Sequence, residues 1–155
     1  KNKFIDIAVH GEGEAVYLAL LENFEKRYWQ HIPSLSYLED DVFRCTPKAY
    51  RLKDIEVIPS PYLDGTFDDI IKKNPGKSWL ALWETNRGCP FKCTFCDWGS
   101  ATAAKVTKFD MSRIEKEVKW FAKNKIEFIF CCDANFGMLK RDYEIVEIVA
   151  ECFVT

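Results

Sequence analysis

The run Cys89-Pro-Phe-Lys-Cys93-Thr-Phe-Cys96 places three cysteines on one short stretch of the chain. Thiolates are soft ligands that suit iron–sulfur clusters and zinc. With three and then two residues between the cysteines, one loop can place three sulfurs on three corners of a four-iron cube. The fourth iron is then open to a substrate or a second cofactor, so the run predicts a cluster that does chemistry.

Zinc and a chance cluster are the alternatives to this interpretation. A zinc ribbon needs a second cysteine pair at some distance, but Cys131 and Cys132 are adjacent in an apolar run. His10 and His31 both lie far from the three cysteines in sequence. The number and spacing of the thiols therefore favour an iron–sulfur cluster.

The remaining composition indicates a folded domain with little net charge. The chain has 155 residues, 48% hydrophobic and 15% aromatic, which is enough to build a core. A formal net charge of -2 gives no electrostatic case for nucleic acid or membrane binding, and no apolar run approaches the roughly 20 residues of a membrane span. The 7 cysteines are odd in number and three are clustered, which favours a reducing cytoplasm, with thiolates reserved for metal, over a secreted disulfide scaffold. The four cysteines outside the run are expected to be buried apolar side chains: Cys45, Cys131, Cys132 and Cys152.

Both ends of the sequence are expected to be cuts within a longer protein. The first residue is not Met, the sequence has no signal-peptide pattern, and residues 4–9 already resemble a buried strand. At the other end, residues 145–155 are still apolar and periodic.

The first third of the chain predicts a strand, a turn and a helix. Residues 4–9 are apolar, and residues 10–14 contain two glycines. Apolar residues then follow at i, i+3, i+4 and i+7, which defines one helix face: Tyr17, Leu20, Leu21 and Phe24. This order is typical of half a doubly wound α/β unit. Residues 35–38 and 42–45 flank an acidic turn and predict a small hairpin.

Two prolines, Pro59 and Pro61, identify residues 58–65 as a linker, because prolines at this spacing exclude a helix and weaken a central strand. The predicted domains are therefore residues 1–65 and residues 66–155.

Beyond the linker, predicted strands and helices alternate. Residues 79–85 and 126–132 are apolar strands, and a helix follows each of them, over residues 112–124 and 141–153. This order predicts a parallel sheet or barrel, in which chemistry gathers at the carboxyl ends of the strands. The cysteine run follows the first strand and residues 133–137 follow the second, so both loops are expected to form one site.

The two helices have predictable inward faces and ends. The first begins at Asp110 or at a capping box of Ser112 and Glu115, and Glu115 is expected to pair with Lys119. The residues expected to face inward are Ile114, Val118 and Phe121 on the first helix, and Ile145, Ile148, Val149 and Cys152 on the second.

The cysteine run, with Phe95 directly before the last cysteine, resembles the signature of the radical S-adenosylmethionine (SAM) superfamily. The flanking Asn86-Arg87-Gly88 and Asp97-Trp98-Gly99 add to this resemblance, which covers about residues 78–155. The run Gly11-Glu12-Gly13-Glu14 and the proline-rich linker resemble the subgroup with a cobalamin-binding domain ahead of the radical domain, over about residues 4–65. The resemblance implies an α/β chain: a partial (β/α) barrel of radical SAM type, preceded by the end of a Rossmann-like cobalamin-binding domain.

The same resemblance implies the cofactors and the reaction. Cys89, Cys93 and Cys96 would hold a 4Fe–4S cluster whose fourth iron chelates the amino and carboxylate groups of SAM. An electron from a reductant such as flavodoxin or ferredoxin would then cleave SAM to a 5′-deoxyadenosyl radical. In the cobalamin subgroup, a methyl group on cobalt is delivered to an unactivated carbon. The substrate, a small molecule or a peptide, is not indicated by the sequence.

Further site residues are implied with alternatives. The SAM amino group would be bound where the sequence reads Cys132-Asp133-Ala134-Asn135, by Asp133 or Asn135, unless these residues only cap the loop. Phe95 would lie beside the adenine or pack in the core. Arg87 is expected in a strand-end salt bridge and Trp98 in packing. The residues implied beside cobalamin, or forming an ordinary turn at a helix start, are Gly11, Glu12, Gly13 and Glu14.

Two other functions remain open at this point. One keeps the cluster and SAM without cobalamin, as an oxidoreductase, lyase or methylthiotransferase, and the other is a zinc- or cluster-stabilised binding module. The resemblance implies a barrel of six βα units, which two units cannot close, so the 155 residues alone are expected to show weak or no turnover.

Overall fold

The computed structural model describes residues 5–96 and 105–154 of a mixed α/β chain. The chain divides into two compact units, Lys1–Lys53 and Asp54–Thr155. Residues 58–65, which the sequence identifies as a linker, group with the second unit. Among the described residues, none of the helices has the length and hydropathy of a membrane span.

The first unit is a three-stranded antiparallel sheet with one α-helix in its described residues. Its elements are β1 (Ile7–Val9), α1 (Glu14–Glu22), a 3-10 turn (Trp29–His31), β2 (Leu35–Glu39) and β3 (Val42–Cys45). The predicted strand, turn and helix are confirmed, and so is the hairpin of β2 and β3. Its turn residues Asp40 and Asp41 both have positive φ, of 48° and 63°, as a tight hairpin turn requires.

The strand pairing of the first unit differs from the prediction. A doubly wound unit would pair its strands in parallel, but β1 and β2 pair antiparallel. β2 pairs with β1 so that Val9 faces Leu35, and the amide of His10 donates to the carbonyl of Ser34. The reason is the path after α1: residues 23–34 bring the chain back to the end of β1, and β2 then runs in the opposite direction.

The inward face of α1 also differs from the prediction. Val16 and Leu20 are the buried residues of this helix, and they pack in a cluster with Ile32, Leu35 and Tyr37. Leu20 was expected inside, but three other predicted core residues are more than half exposed: Tyr17, Leu21 and Phe24. Because α1 is apolar on most of its circumference, the apolar pattern does not single out the face that meets the sheet.

The second unit contains the predicted parallel strands. Its described elements are α2 (Asp68–Lys73), β4 (Leu80–Trp83), β5 (Asn86–Arg87), β6 (Thr107–Lys108), α3 (Met111–Lys123), β7 (Phe128–Cys131) and α4 (Arg141–Val154). β4 and β7 pair in parallel, with Leu80 beside Phe128 and Trp83 beside Cys131. β5 and β6 form a short antiparallel pair that the sequence analysis does not predict.

Helix α3 covers one face of the parallel pair as predicted. Ile114, Val118 and Phe121 are fully buried, and the ring of Phe121 lies edge-on to Trp83 at 5.6 Å between centroids. Asp110 is the N-cap and accepts a hydrogen bond from the Ser112 amide at 2.8 Å, so the helix begins at Asp110 and not at the capping box of Ser112 and Glu115. The ion pair of Glu115 with Lys119 is confirmed.

A buried polar network fixes the face of α3 that meets β4. The Glu117 carboxylate accepts from Trp83 Nε1 at 2.7 Å and from Arg113 Nε at 3.0 Å. Arg113 also donates through Nη1 to the carbonyl of Ile58 at 2.6 Å. The ring of Tyr62 lies 4.7 Å from that of Phe121. Residues 58–65 are thus packed against α3. Because their prolines prevent a regular helix or strand, the backbone carbonyls and side chains of this segment are available for such contacts.

The predicted burial of the second helix and of the remaining cysteines is only partly correct. On α4, Ile145 is fully buried, while the other three expected residues are half-buried: Ile148, Val149 and Cys152. Cys45 and Cys132 are exposed and Cys131 is half-buried. Because side chains alternate along a strand, Cys132 continues the exposed face of Phe128 and Phe130, which α3 does not cover.

Candidate functional site

Two loops leave the carboxyl ends of β4 and β7 side by side. The amide of Cys132 donates to the carbonyl of Trp83 at 2.7 Å, which extends the parallel pairing to the point where both loops begin. The first loop leads through Thr85 and β5 to the three cysteines, and the second begins at Asp133. The predicted meeting of the two loops at one edge of the sheet is therefore what the structure shows.

The carboxylate of Asp133 bridges the two loops with four hydrogen bonds. Oδ1 accepts from the backbone amides of Thr85, at 2.7 Å, and Asn86, at 3.0 Å. Oδ2 accepts from the hydroxyl of Thr85 and, at 2.7 Å, from the side-chain amide of Asn86. An ionised carboxylate offers about four acceptor positions, so these donors occupy its capacity.

Asn135 reaches the cysteine loop itself. Its Nδ2 donates to the Sγ of Cys89 at 3.1 Å, and Cys89 is the buried member of the three cysteines. The preceding Gly88 has φ of 115°, a conformation that a side chain would strain. Cys89 is therefore fixed by the backbone before it and by an amide from the neighbouring loop.

The other two cysteines lie on the outer part of the loop. Cys93 and Cys96 are exposed, and the amide of Cys96 donates to the carbonyl of Cys93 at 3.1 Å, which makes a turn of this stretch. Phe95 is 91% exposed and thus does not pack in the core. Among the described residues, no three His, Cys, Asp or Glu side chains converge as a metal site. The donor set of three thiols on one loop still fits an iron–sulfur cluster by its chemistry.

A second cysteine pair for zinc finds no support at Cys131 and Cys132. Burial raises the pKa of the Cys131 thiol to about 11, which disfavours the thiolate form that binds metals. Cys132 is exposed on the opposite face of the strand from Cys131. Its Sγ is directed to the carbonyl of Phe130, at 3.6 Å.

Arg87 makes the strand-end salt bridge that the sequence predicts. Its Nε and Nη2 donate to the two carboxylate oxygens of Glu84 at 2.9 and 2.7 Å. This two-point pair spans the short connection between β4 and β5, directly before the cysteine loop. Trp98, with Asp97 and Gly99, lies outside the described residues.

The glycine–glutamate turn belongs to the first unit. Gly11 has φ of 80°, and Gly13 is the residue before α1. Glu12 accepts from Arg51 Nε at 3.0 Å and from the backbone amide of Leu52 at 2.7 Å. Glu14 lies in the first turn of α1. These contacts give Glu12 a part in holding the fold, and the predicted place of the turn beside cobalamin stays a prediction.

Thr85 and Asn86 are site residues that the sequence alone does not predict. Both are almost completely buried, and the amide oxygen of Asn86 has no hydrogen-bond partner among the described residues. The signal available in the sequence was a Thr-Asn pair directly after an apolar strand. Two polar residues at that point need partners, and the acidic residue after the next strand is the nearest candidate.

Comparisons with known proteins give relatives over nearly the whole chain, although no family model matches it. The cobalamin-dependent radical SAM methyltransferase TokK of Streptomyces tokunonensis is 41% identical over 97% of this chain. The 2-(S-pantetheinyl)-carbapenam-3-carboxylate methyltransferase of Streptantibioticus cattleyicolor is 39% identical over the same share. The chain spans 23% of the length of each of these relatives.

A solved structure agrees with the fold. The radical SAM methyltransferase TsrM from Kitasatospora setae, with cobalamin and a [4Fe-4S] cluster bound, superimposes with a TM-score of 0.63 at 16% identity. The match covers 95% of this chain and 30% of that one. The mixed α/β fold of this chain therefore matches part of that structure.

Proposed function

This chain belongs to the cobalamin-dependent radical SAM methyltransferase family, and from that premise we propose that its protein transfers a methyl group to an unactivated carbon. The cofactors would be a 4Fe–4S cluster, SAM and cobalamin, as in the relatives whose names and bound groups state them. The methyl acceptor is a small molecule in this proposal, as the name of the carbapenam relative indicates for that protein. A flavodoxin or ferredoxin in the cytoplasm would supply electrons.

The residues that would hold the cluster are Cys89, Cys93 and Cys96. When bound, the cluster supplies an electron for the cleavage of SAM, and cobalamin supplies the transferred methyl group. The chain's own part is to keep Cys89 in place through Gly88 and Asn135, and to carry Cys93 and Cys96 on an accessible turn. The exposed ring of Phe95 on that turn is available to cover an adenine.

Of the two residues left open for the SAM amino group, we assign Asn135. The Asp133 carboxylate already accepts four hydrogen bonds from Thr85 and Asn86, which fill its acceptor positions. Asn135 donates through its amide nitrogen, and its amide oxygen is an acceptor of the kind that an ammonium group requires.

The second unit would be the start of a partial (β/α) barrel. The parallel pair of β4 and β7, with α3 between them in sequence and loops meeting at the carboxyl edge, supports this assignment. The first unit would be the end of the cobalamin-binding domain, with Gly11 in its turn. Substitutions at Gly11 would meet open space but a strained φ.

The observation that carries this proposal is the position of the cysteine loop at the carboxyl edge, where the Sγ of Cys89 accepts a hydrogen bond from Asn135 of the neighbouring loop. The test is anaerobic reconstitution of the natural full-length protein with iron and sulfide, followed by EPR of the reduced protein with and without SAM. We expect a cubane signal that changes when SAM is added, and its loss in Cys93→Ala. Cys45→Ala, which removes an exposed thiol from β3, is the matched control and should keep the signal.

Three results would contradict the proposal. A signal that does not respond to SAM would mean a cluster without an open iron. Zinc in place of iron in the purified protein would favour the binding module. Cobalamin uptake is measured by the visible absorption of cobalamin. A normal SAM response without such uptake would favour a cobalamin-independent radical SAM enzyme.

A further inference from the structure

We propose that Asn135 is a positioning residue for the cluster: its side-chain amide holds the Cys89 sulfur and raises the reduction potential of the cluster. The inference rests on the proposed function, because it assumes a cluster on the three cysteines. It gives the amide nitrogen of Asn135 a task that is separate from SAM binding. The observation behind it is the hydrogen bond from Nδ2 to Sγ, at 3.1 Å.

The chemistry of the two groups fixes the direction of this hydrogen bond. A cysteine thiolate is an acceptor, so the amide nitrogen of Asn135 and not its oxygen must face the sulfur. Hydrogen bonds to cluster sulfurs stabilise the reduced state, which carries more negative charge, and thereby raise the reduction potential.

The loop that carries Asn135 is anchored on both sides. Before it, Asp133 is bonded to Thr85 and Asn86 at the end of β4. After it, the buried carboxylate of Asp142 accepts from the amides of Gly137, at 2.8 Å, and Leu139, at 2.9 Å.

These two anchors hold the Asn135 amide in place before any cofactor binds. A donor that is fixed in this way loses little entropy when it bonds to the sulfur, so the hydrogen bond should have a measurable effect on the reduction potential of the cluster. Cys93 and Cys96 are exposed, which makes Cys89 the ligand that connects the cluster to the sheet.

The experiment compares cluster potentials in the reconstituted full-length protein. Asn135→Leu keeps the approximate volume but removes the donor, and Asn135→Asp replaces the donor by an acceptor. Asn124→Leu is the matched control, because Asn124 also donates one amide hydrogen bond, to the Trp120 carbonyl at 2.9 Å, at the end of α3. The reduced fraction is followed by EPR during a redox titration, without SAM and without turnover.

We expect the ratio of reduced to oxidised cluster, at a fixed potential, to fall about fivefold in Asn135→Leu and further in Asn135→Asp. Asn124→Leu should titrate like the wild type. A folded Asn135 variant that fails to assemble a cluster, while Asn124→Leu assembles one, would support the inference, because the Cys89 sulfur would then need the Asn135 amide even to bind the cluster. Unchanged potentials in both Asn135 variants would overturn the inference and leave the proposed function intact. A wild-type protein that forms no cluster would overturn both.

Discussion

The α3 side of the parallel strands and the cysteine loop at their carboxyl edge are held by different means. On the α3 side, Glu117 is buried and bonded to Trp83 and Arg113, so a charged group is enclosed with its partners. At the edge, Cys93 and Cys96 are exposed on a turn with a single described backbone hydrogen bond between them. One region is a closed scaffold and the other an open set of ligands.

The difference indicates where substitutions should act. Changes in the closed region leave buried polar groups without partners, and their effect should be on the free energy of unfolding. Changes in the open loop remove thiols that contribute little to packing, and their effect should be on cofactor binding. Asp133 lies between the two regions, because its carboxylate accepts hydrogen bonds from Thr85 and Asn86 at the point where the cysteine loop leaves β4.

Glu117→Ala should have the largest effect on stability. It removes the buried acceptor of Arg113 Nε and of the Trp83 N–H, while Arg113 keeps the Ile58 carbonyl and the Glu56 carboxylate as partners. We therefore expect a loss of about 3 kcal/mol, the low end of the cost of breaking a buried ion pair. Urea unfolding followed by circular dichroism measures the loss. The control is Glu115→Ala, which removes an exposed partner of Lys119 two residues away and should leave the midpoint almost unchanged. Similar midpoints for the two variants would show that the α3 side is not a closed scaffold.

Asp133→Asn should have an intermediate effect of two kinds. The new amide group would face donors from Thr85 and Asn86, so we expect a loss of about 2 kcal/mol in the free energy of unfolding. Because the loops start from this point, the amount of iron bound after reconstitution should also fall. Asp69→Asn, at an exposed ion pair with Lys73, is the control for both measurements. If the variant binds the full amount of iron despite its lower stability, Asp133 contributes to the fold and not to cluster binding.

The sequence predicts the second unit well, for local reasons. Runs of apolar residues with flanking turns define β4 and β7, and spacing by three and four residues defines the buried face of α3. The rule that parallel strands expose their carboxyl ends to one edge then brings the cysteines and Asn135 together. None of these steps needs knowledge of contacts between distant residues.

The first unit and the bonding of the site could not be predicted in the same way. The direction of β2 depends on the path of residues 23–34, which have no periodic pattern, and α1 is apolar on several faces. That Asp133 bonds to Thr85 and Asn86 depends on a pairing between residues nearly 50 positions apart. A sequence shows that an acidic residue follows a strand, but only the fold shows which donors meet it.

Glu84→Gln should have the smallest effect and tests the boundary between the two regions. The pair of Glu84 with Arg87 is partly exposed but bonded at two points, so its loss should cost about 0.5–1 kcal/mol and should shrink in high salt. The matched control is Glu39→Gln, since the pair of Glu39 with Arg44 is more exposed and should contribute less. Urea unfolding at low and high salt measures both. If Glu84→Gln also lowers the amount of iron bound, the scaffold extends through β5 into the cysteine loop. If it changes the free energy of unfolding alone, iron binding by the loop after Arg87 does not depend on this ion pair.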